Sequence, residues 1–372
     1  MKRRKFLAIA GGVTAVAGAV AYLASDKKNF ERKHQLPGNS GKTLLQQDEA
    51  RILYLASLAP SGHNTQPWLV KYVEPYHWII GNDKSKWLPA VDPLQRETVL
   101  SIGAFMQNLE YAANSMGYAC AFHLLAGSNQ DENIIEVKLS KASKPAPFDA
   151  QKIVNRRTVR SNFLSQEIAK PDLENLTSDC GDHIHFLSPD SKQYSWINEQ
   201  TIEANRIQTY RNEAQNELAD WMRFSSKEAS ANGDGLTTAS MEIQGLAAWF
   251  LRNFYGKKDV LKTSFREKGL DKVREQVAVS GGWLLISSKD NSTVTLVETG
   301  MMLQRILLRS REKMIAIHPM TQILEEKETY DRLRTSFGLS DPVQFILRMG
   351  YLKTYPAPVS LRRPVTQFVK QI

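Results

Sequence analysis

The chain has 372 residues, 42% hydrophobic and 23% charged, a composition that fits a globular protein and excludes a disordered one. Its formal net charge is +9, but Lys2, Arg3, Arg4 and Lys5 supply four of those charges, leaving +5 for the body. That surplus is scattered, and no helix-turn-helix, zinc-finger or RNP pattern accompanies it, so no nucleic-acid partner is expected. The two cysteines, Cys120 and Cys180, form no CxxC pair, which argues against dithiol and metal chemistry and leaves a disulfide between them open if the protein is exported.

Residues 1–25 read as a targeting segment, to be kept apart from the fold. Lys2-Arg3-Arg4-Lys5-Phe6-Leu7 looks like a twin-arginine export signal. Phe6 to Ser25 is uncharged, rich in Ala and Gly and only mildly hydrophobic. The run is about 20 residues, just long enough to cross a bilayer. Ala19-Val20-Ala21 offers a small-residue cleavage site, so a cleaved leader and a retained membrane anchor both stay open. The twin-arginine route carries folded proteins. The leader therefore implies a cofactor loaded in the cytoplasm, and a working place in the periplasm or on the outer face of the cytoplasmic membrane. Residues 26–43 are polar and read as a linker.

The spacing of Ile52, Leu53, Leu55 and Ala56 predicts an amphipathic helix over 44–58. It runs into Ala-Pro-Ser-Gly-His-Asn-Thr-Gln-Pro-Trp at 59–68, a loop bracketed by Pro60 and Pro67. Ser61, His63, Asn64, Thr65 and Gln66 between those prolines can aim several donors and acceptors at a flat polar ligand. Strands are predicted at 69–73 and 77–80, with a turn at Glu74-Pro75. A helix is predicted over 94–116, striped by Val99, Ile102, Met106, Leu109, Ala113 and Met116 and ended by Gly117. Strands follow at 118–125 and 134–139. The two prolines in 142–147 mark a link between a first half, 44–147, and a second half, 148–372.

The second half opens with Asn155-Arg156-Arg157-Thr158-Val159-Arg160-Ser161. A run of arginines is a solvated basic turn or a phosphate clamp, since forked guanidinium donors suit phosphate and Thr158 adds a hydroxyl. A strand is predicted at 183–187, then a long helical region over 193–227, a turn at 232–235, and an apolar stretch at 245–255 that covers a site or simply packs. A buried strand is predicted at 281–288, a helix at 294–308 and a strand at 343–350. Gly103-Ala104-Phe105-Met106-Gln107-Asn108-Leu109 and Gly300-Met301-Met302-Leu303-Gln304-Arg305-Ile306 form a short internal repeat.

The 60–68 loop resembles the Pro-Ser-x-x-Asn-x-Gln-Pro-Trp flavin loop of the FMN-dependent nitroreductase family, and the arginine segment resembles that family's Arg-Arg-Ser-x-Arg phosphate grip, with Thr158 for the serine. Division of these parts between the halves is similar to the fused, tandem (Acg-type) branch. The resemblance implies an α+β fold of two nitroreductase-like halves forming an intramolecular pseudo-dimer, with antiparallel-rich sheets flanked by helices. It implies FMN held by Pro60, Ser61, Gly62, Asn64 and Gln66 from one half. Arg156, Arg157, Thr158 and Arg160 hold it from the other, with Arg362 and Arg363 of the tail near the phosphate. His318-Pro319-Met320 is expected against the ring's N5 edge, through backbone N–H groups. The implied reaction is two-electron reduction of nitroaromatics, quinones or similar planar acceptors, with NAD(P)H or an envelope reductant as donor. The alternative is a non-catalytic protein that binds or sequesters flavin in a covered site. His63 is read either as a proton donor or as a loop residue bonding backbone. His183 and His185 lack further ligands for a metal site.

Overall fold

The computed structural model describes residues 25–26, 32, 44–144 and 147–372; the leader and nearly all of the linker lie outside them. Helix α1 (Gln47–Ala56) starts where the Glu49 carboxylate accepts the Gln46 N–H at 2.8 Å, and it buries Ile52, Leu53, Leu55 and Ala56. The loop follows. Strands β1 (Trp68–Glu74) and β2 (His77–Asn82) then form a hairpin whose turn carries Tyr76 at φ 64°. Helix α2 (Arg96–Ser115) is buried along most of its length and stops at Gly117, φ 79°, which caps it in the left-handed region. Strands β3 (Tyr118–Leu124) and β4 (Asn133–Lys141) complete the first half's contribution.

In the second half come β5 (Ile184–Leu187), α3 (Lys192–Tyr210), α4 (Asn212–Trp221), α5 (Gly245–Phe254) and α6 (Thr263–Val277). They are followed by β6 (Gly282–Ser287), α7 (Thr293–Ser310), β7 (Ile315–Pro319), β8 (Val343–Tyr351) and β9 (Val369–Gln371). The helical region expected over 193–227 is broken at Arg211, which leaves the helical region of backbone space (φ −84°, ψ 108°) and separates α3 from α4. Strands β7 and β9 and helix α6 are not among the predicted elements. The fold is α+β.

The first sheet has the order β3-β4-β2-β1-β9 and the second, all antiparallel, β5-β6-β8-β7. Strand β9 leaves its own half and pairs parallel to β1, Val70 opposite Val369. The main core lies between the sheets around α2 and α7. The second sheet is buried on its other face too, where Trp283, Leu285 and Ile346 meet Ile197 and Ala204 of α3 and Val277 of α6. That is why β6 is a continuous apolar run and not an alternating one.

The repeat marks where α2 and α7 cross. A Cβ on Gly103 would lie 2.2 Å from the Val297 carbonyl oxygen, and one on Gly300 would lie 2.1 Å from that of Leu100, so only glycine permits this approach. The repeat glutamines then bond reciprocally. Gln304 donates to Asn108 Oδ1 at 2.7 Å, and Gln107 Oε1 accepts from Arg305 at 2.9 Å. Each repeat glutamine meets the residue after its counterpart.

Candidate active site

A cavity of about 390 Å³ is lined by residues from 60–104 and from 158–345. The loop supplies Pro60, Ser61, Gly62 and His63; α2 supplies Glu97 and Ser101; the arginine segment supplies Thr158 and Arg160; β7 supplies His318 and Pro319. The 190–280 segment walls one side, through Gln208 of α3, Leu218 of α4 and Phe265 of α6 among others. This volume is in the range of small-molecule and cofactor sites.

The loop is held under strain. His63, Asn64 and Gln66 all have positive φ (48°, 57° and 57°), a conformation costing non-glycine residues on the order of 1 kcal/mol or more each. Bonds at both ends compensate. Ser61 Oγ accepts the Gln66 N–H at 2.9 Å. Asn64 Nδ2 donates to the carbonyls of Gly235 and Leu361, at 3.1 and 3.2 Å, and its Oδ1 accepts from Arg362 at 2.8 Å. The Gln66 amide donates to Gly233 O and accepts the Arg363 N–H. Asn64 and Gln66, expected on the flavin, do not line the cavity; their amides clamp the loop to the 233–235 turn and the 361–363 tail.

The arginines divide. Arg157 donates to Glu242 Oε1 at 3.0 Å and to Ala357 O at 2.6 Å. Arg160 reaches the cavity, with its Nη1 on Ser240 O at 2.7 Å and its backbone N–H on Glu242. Arg363 faces Asp83 at 3.6 Å and donates to Trp68 O at 3.0 Å, away from the cavity. Arg156 and Arg362 are different. Both donate to the Leu58 carbonyl at 3.1 Å, and Arg362 also to Ala59 O at 2.9 Å, immediately before the loop. Arg156 Nη1 approaches the Thr158 hydroxyl at 3.4 Å. Arg32, from the linker, donates to Val154 O at 2.9 Å and joins them.

Among the described residues, no carboxylate pairs with Arg32, Arg156 or Arg362. The Nε of all three is buried without a partner, as is the Tyr54 hydroxyl beside them. Burial pushes Arg156 down to about 10, with Arg32 adding to the shift and Tyr355 opposing it. Burial, and then the charges of Arg156 and Arg32, hold Arg362 well below its ordinary value. Burial also lowers Arg32. Buried guanidiniums of one sign call for an anion.

None of these three arginines lines the cavity, and on the cavity wall itself the sign reverses. Thr321 Oγ1 lies 3.4 Å from Glu97 Oε1 and 3.0 Å from Glu325 Oε1. Gln208 donates to Glu325 at 2.6 Å and Arg96 to Glu97 at 2.8 Å. Burial, then the neighbouring Glu325, pushes the Glu97 carboxyl well above the usual range, and burial raises Glu325 as well. The histidines go the opposite way. Burial and then Arg160 hold His63 down to about 4, and the exposure its ring keeps is to the cavity. Burial, then Arg160 and Arg348, hold His318 well below its ordinary value, and its Nδ1 has no partner. The N–H groups expected after α7 are not available. Pro319 has none, and that of Met320 bonds Ile346 O at 2.9 Å, with the Met320 side chain in the second core.

Arg32, Glu97 and Glu325 are absent from the sequence-based site. Arg32 stands in a polar linker, and Glu97 in the first turn of a helix, where an acid is ordinary. Cys120 and Cys180 are both free. Among the described residues no group of three or more His, Cys, Asp or Glu could hold a metal ion.

No family model matches the chain. It is 24% identical over 323 residues to the Mycobacterium tuberculosis protein named "Putative NAD(P)H nitroreductase acg", covering 84% of this chain and 92% of that one. The chain is thus similar along most of its length to proteins named as nitroreductases. The protein named "Probable NAD(P)H nitroreductase PigM" from a Serratia species is 22% identical to it over 329 residues, 83% of this chain and 89% of the other. Among solved structures, the FMN-dependent nitroreductase NfnB from Mycobacterium smegmatis, in complex with NADPH, aligns with a TM-score of 0.38 at 14% identity, over 59% of this chain and 96% of that one. A nitroreductase-like family protein from Bacillus cereus aligns with a TM-score of 0.32 at 14% identity, over 62% and 99%.

Proposed function

We propose that the chain is an FMN-dependent oxidoreductase of nitroreductase type, reducing nitroaromatics, quinones or similar planar acceptors with electrons from NAD(P)H or an envelope reductant. The observation that carries this reading is the trio Arg32, Arg156 and Arg362. They are buried, mutually repelling and, among the described residues, without a carboxylate partner, and they sit beside the strained loop that lines the cavity. A dianionic phosphate fits that cluster, and bound FMN supplies two-electron transfer to a flat acceptor. Arg156 and Arg362 orient the phosphate, Thr158 and Ser61 offer hydroxyls along the cavity wall, and Pro319 and His318 close the opposite wall.

The proton for the acceptor is assigned to Glu97. His63 and His318 are held neutral and serve as hydrogen-bonding imidazoles, not as acids. Glu97 and Glu325 resist ionising together, so the pair keeps a proton where separated carboxylates have lost theirs.

In this reading α2 and α7 stand as the central helices of two nitroreductase-like halves, 44–147 and 148–372, in an intramolecular pseudo-dimer. The glycine crossing, the reciprocal glutamines and the exchange of β9 support it. Twin-arginine export would deliver the folded, loaded protein to the periplasm or the outer membrane face. Fractionation of an Arg3→Lys/Arg4→Lys variant tests that, with retention in the cytoplasm expected.

The test of function is titration of apoprotein with FMN and with riboflavin. FMN should bind at least about 100-fold more tightly, because riboflavin lacks the phosphate. The yellow complex should bleach with NADPH or dithionite and recolour with a quinone or nitroaromatic, and Glu97→Gln should slow recolouring by about 10-fold or more. Equal affinity for the two flavins would sink the proposal. A second reading, flavin sequestration, draws on α3, α4 and α6 walling the cavity. A complex that bleaches but refuses every acceptor would favour it.

A further inference from the structure

Two helices of the 190–280 segment line one stretch of the cavity. On α3 the lining residues are Asn205, Gln208 and Thr209, and on α6 they include Arg266, Gly269 and Val273. Spacings of three and four residues put each set on one helix face. Arg266 is half-buried and Gly269 is exposed, so this stretch is the rim, where the cavity meets solvent.

Arg266 carries an uncompensated charge there. Its Nη2 donates to Asn212 Oδ1 at 2.7 Å, its Nε is buried without a partner, and among the described residues no carboxylate pairs with it. Charges close by in α6 and before it are paired elsewhere. Lys262 meets Asp259 at 2.6 Å, and Glu267 accepts from the Tyr210 hydroxyl. The carboxylates of the cavity wall are engaged too: Glu97 accepts from Arg96 at 2.8 Å and Glu325 from Gln208 at 2.6 Å.

One turn along α6, Gly269 leaves room. A Cβ built there meets no atom within 4 Å, and its φ is not in the left-handed region. Neither packing nor backbone geometry requires glycine at this position, inside a helix that glycine weakens. What the missing side chain provides is open space beside the guanidinium.

We propose that this rim is a subsite for an anionic group of the substrate, with Arg266 on the anion and Gly269 keeping the passage clear. A forked guanidinium suits a phosphate or a carboxylate. The inference rests on the FMN reading above, in which the anion belongs either to the phosphates of a nicotinamide dinucleotide or to a carboxylate on the planar acceptor. Arg266 then selects charged substrates over neutral ones and takes no part in electron transfer.

The test uses the FMN-loaded full chain and two matched pairs. Bleaching by NADPH is compared with bleaching by the uncharged donor N-benzyl-dihydronicotinamide. Recolouring of dithionite-reduced protein by para-nitrobenzoate is compared with recolouring by para-nitrobenzamide. Arg266→Met should lower the second-order rate constant for the charged member of at least one pair by about tenfold or more, and leave its neutral partner within about twofold. The pair that responds identifies the source of the anion. Arg266→Lys should restore part of the loss. Gly269→Leu should slow the same charged substrate while the thermal midpoint stays level or rises, since leucine is the better helix former. Equal changes for charged and neutral members in both pairs, or no change in either, overturn the proposal. Calorimetric titration with NADP⁺ and with para-nitrobenzoate, neither of which oxidised flavin consumes, reads the same contact as a dissociation constant. An Arg266-dependent affinity in protein that never bleaches would keep the subsite and sink the FMN reading, so the two failures are distinguishable.

Discussion

Arg156 and Arg157 are neighbours in sequence, and so are Arg362 and Arg363, yet each pair is split between two environments. Arg157 meets Glu242, and Arg363 faces Asp83 and ties down backbone carbonyls. Arg156 and Arg362 turn the other way, toward Leu58 O and each other, with no acid in reach among the described residues. A cation with its counter-charge built in is architecture. A cation left without one is, in the function proposed above, where the phosphate is held. The tertiary fold makes this distinction, because Glu242 and Asp83 lie far along the chain from the arginines they neutralise.

The comparison can be broken by substitution. The largest effect expected is on cofactor affinity. Arg156→Met together with Arg362→Met should weaken FMN binding at least about 100-fold in a fluorescence titration, since two charge-assisted contacts are lost. Arg157→Met should act instead on stability, by about 3 kcal/mol in denaturant melts, because it leaves Glu242 buried without its cation. Arg363→Met should cost about 2 kcal/mol through the carbonyls of Gln66 and Trp68 that it releases. The single change Arg156→Met, in the absence of FMN, should be neutral or stabilise by up to about 1 kcal/mol, since it removes an unpaired buried charge. If Arg156→Met and Arg157→Met destabilise apoprotein equally, the distinction fails.

A pH titration sharpens it further. The folded pKa of His63, about 4, lies below its ordinary 6.5, partly because Arg160 is near. As pH falls through that window the unfolded chain takes up the proton first, so apoprotein stability should decline from pH 6.5 toward 4; above 6.5 this group contributes no slope. His63→Asn should reduce the decline, leaving the part that the buried His318 contributes in the same direction.

Periodicity made the framework legible. The apolar spacing in α1 and α2 and the continuous apolar run of β6 each announce an element, and Gly103 and Gly300 mark a helix crossing through their shared context. The break at Arg211 was invisible because the residues on both sides favour helix. Strand β9 is too short to show alternation, and its pairing with β1 is decided by tertiary packing. At the site, the proline-bracketed loop and the arginine segment announce themselves by composition. Their division of labour does not. Asn64 and Gln66 are as polar as Ser61, and only the folded tail turns them into clamps. Glu97 is ordinary until Glu325, more than two hundred residues later, is placed beside it.

Val70 pairs with Val369, and Gly103 touches Gly300. Contacts between residues this distant in sequence demand large entropy losses before any packing is gained, so folding of this chain should be slow, with late closure of the two halves. Until that closure neither the loop clamp nor the arginine cluster exists. The time the chain spends waiting to close is time in which its apolar helices are exposed to aggregation.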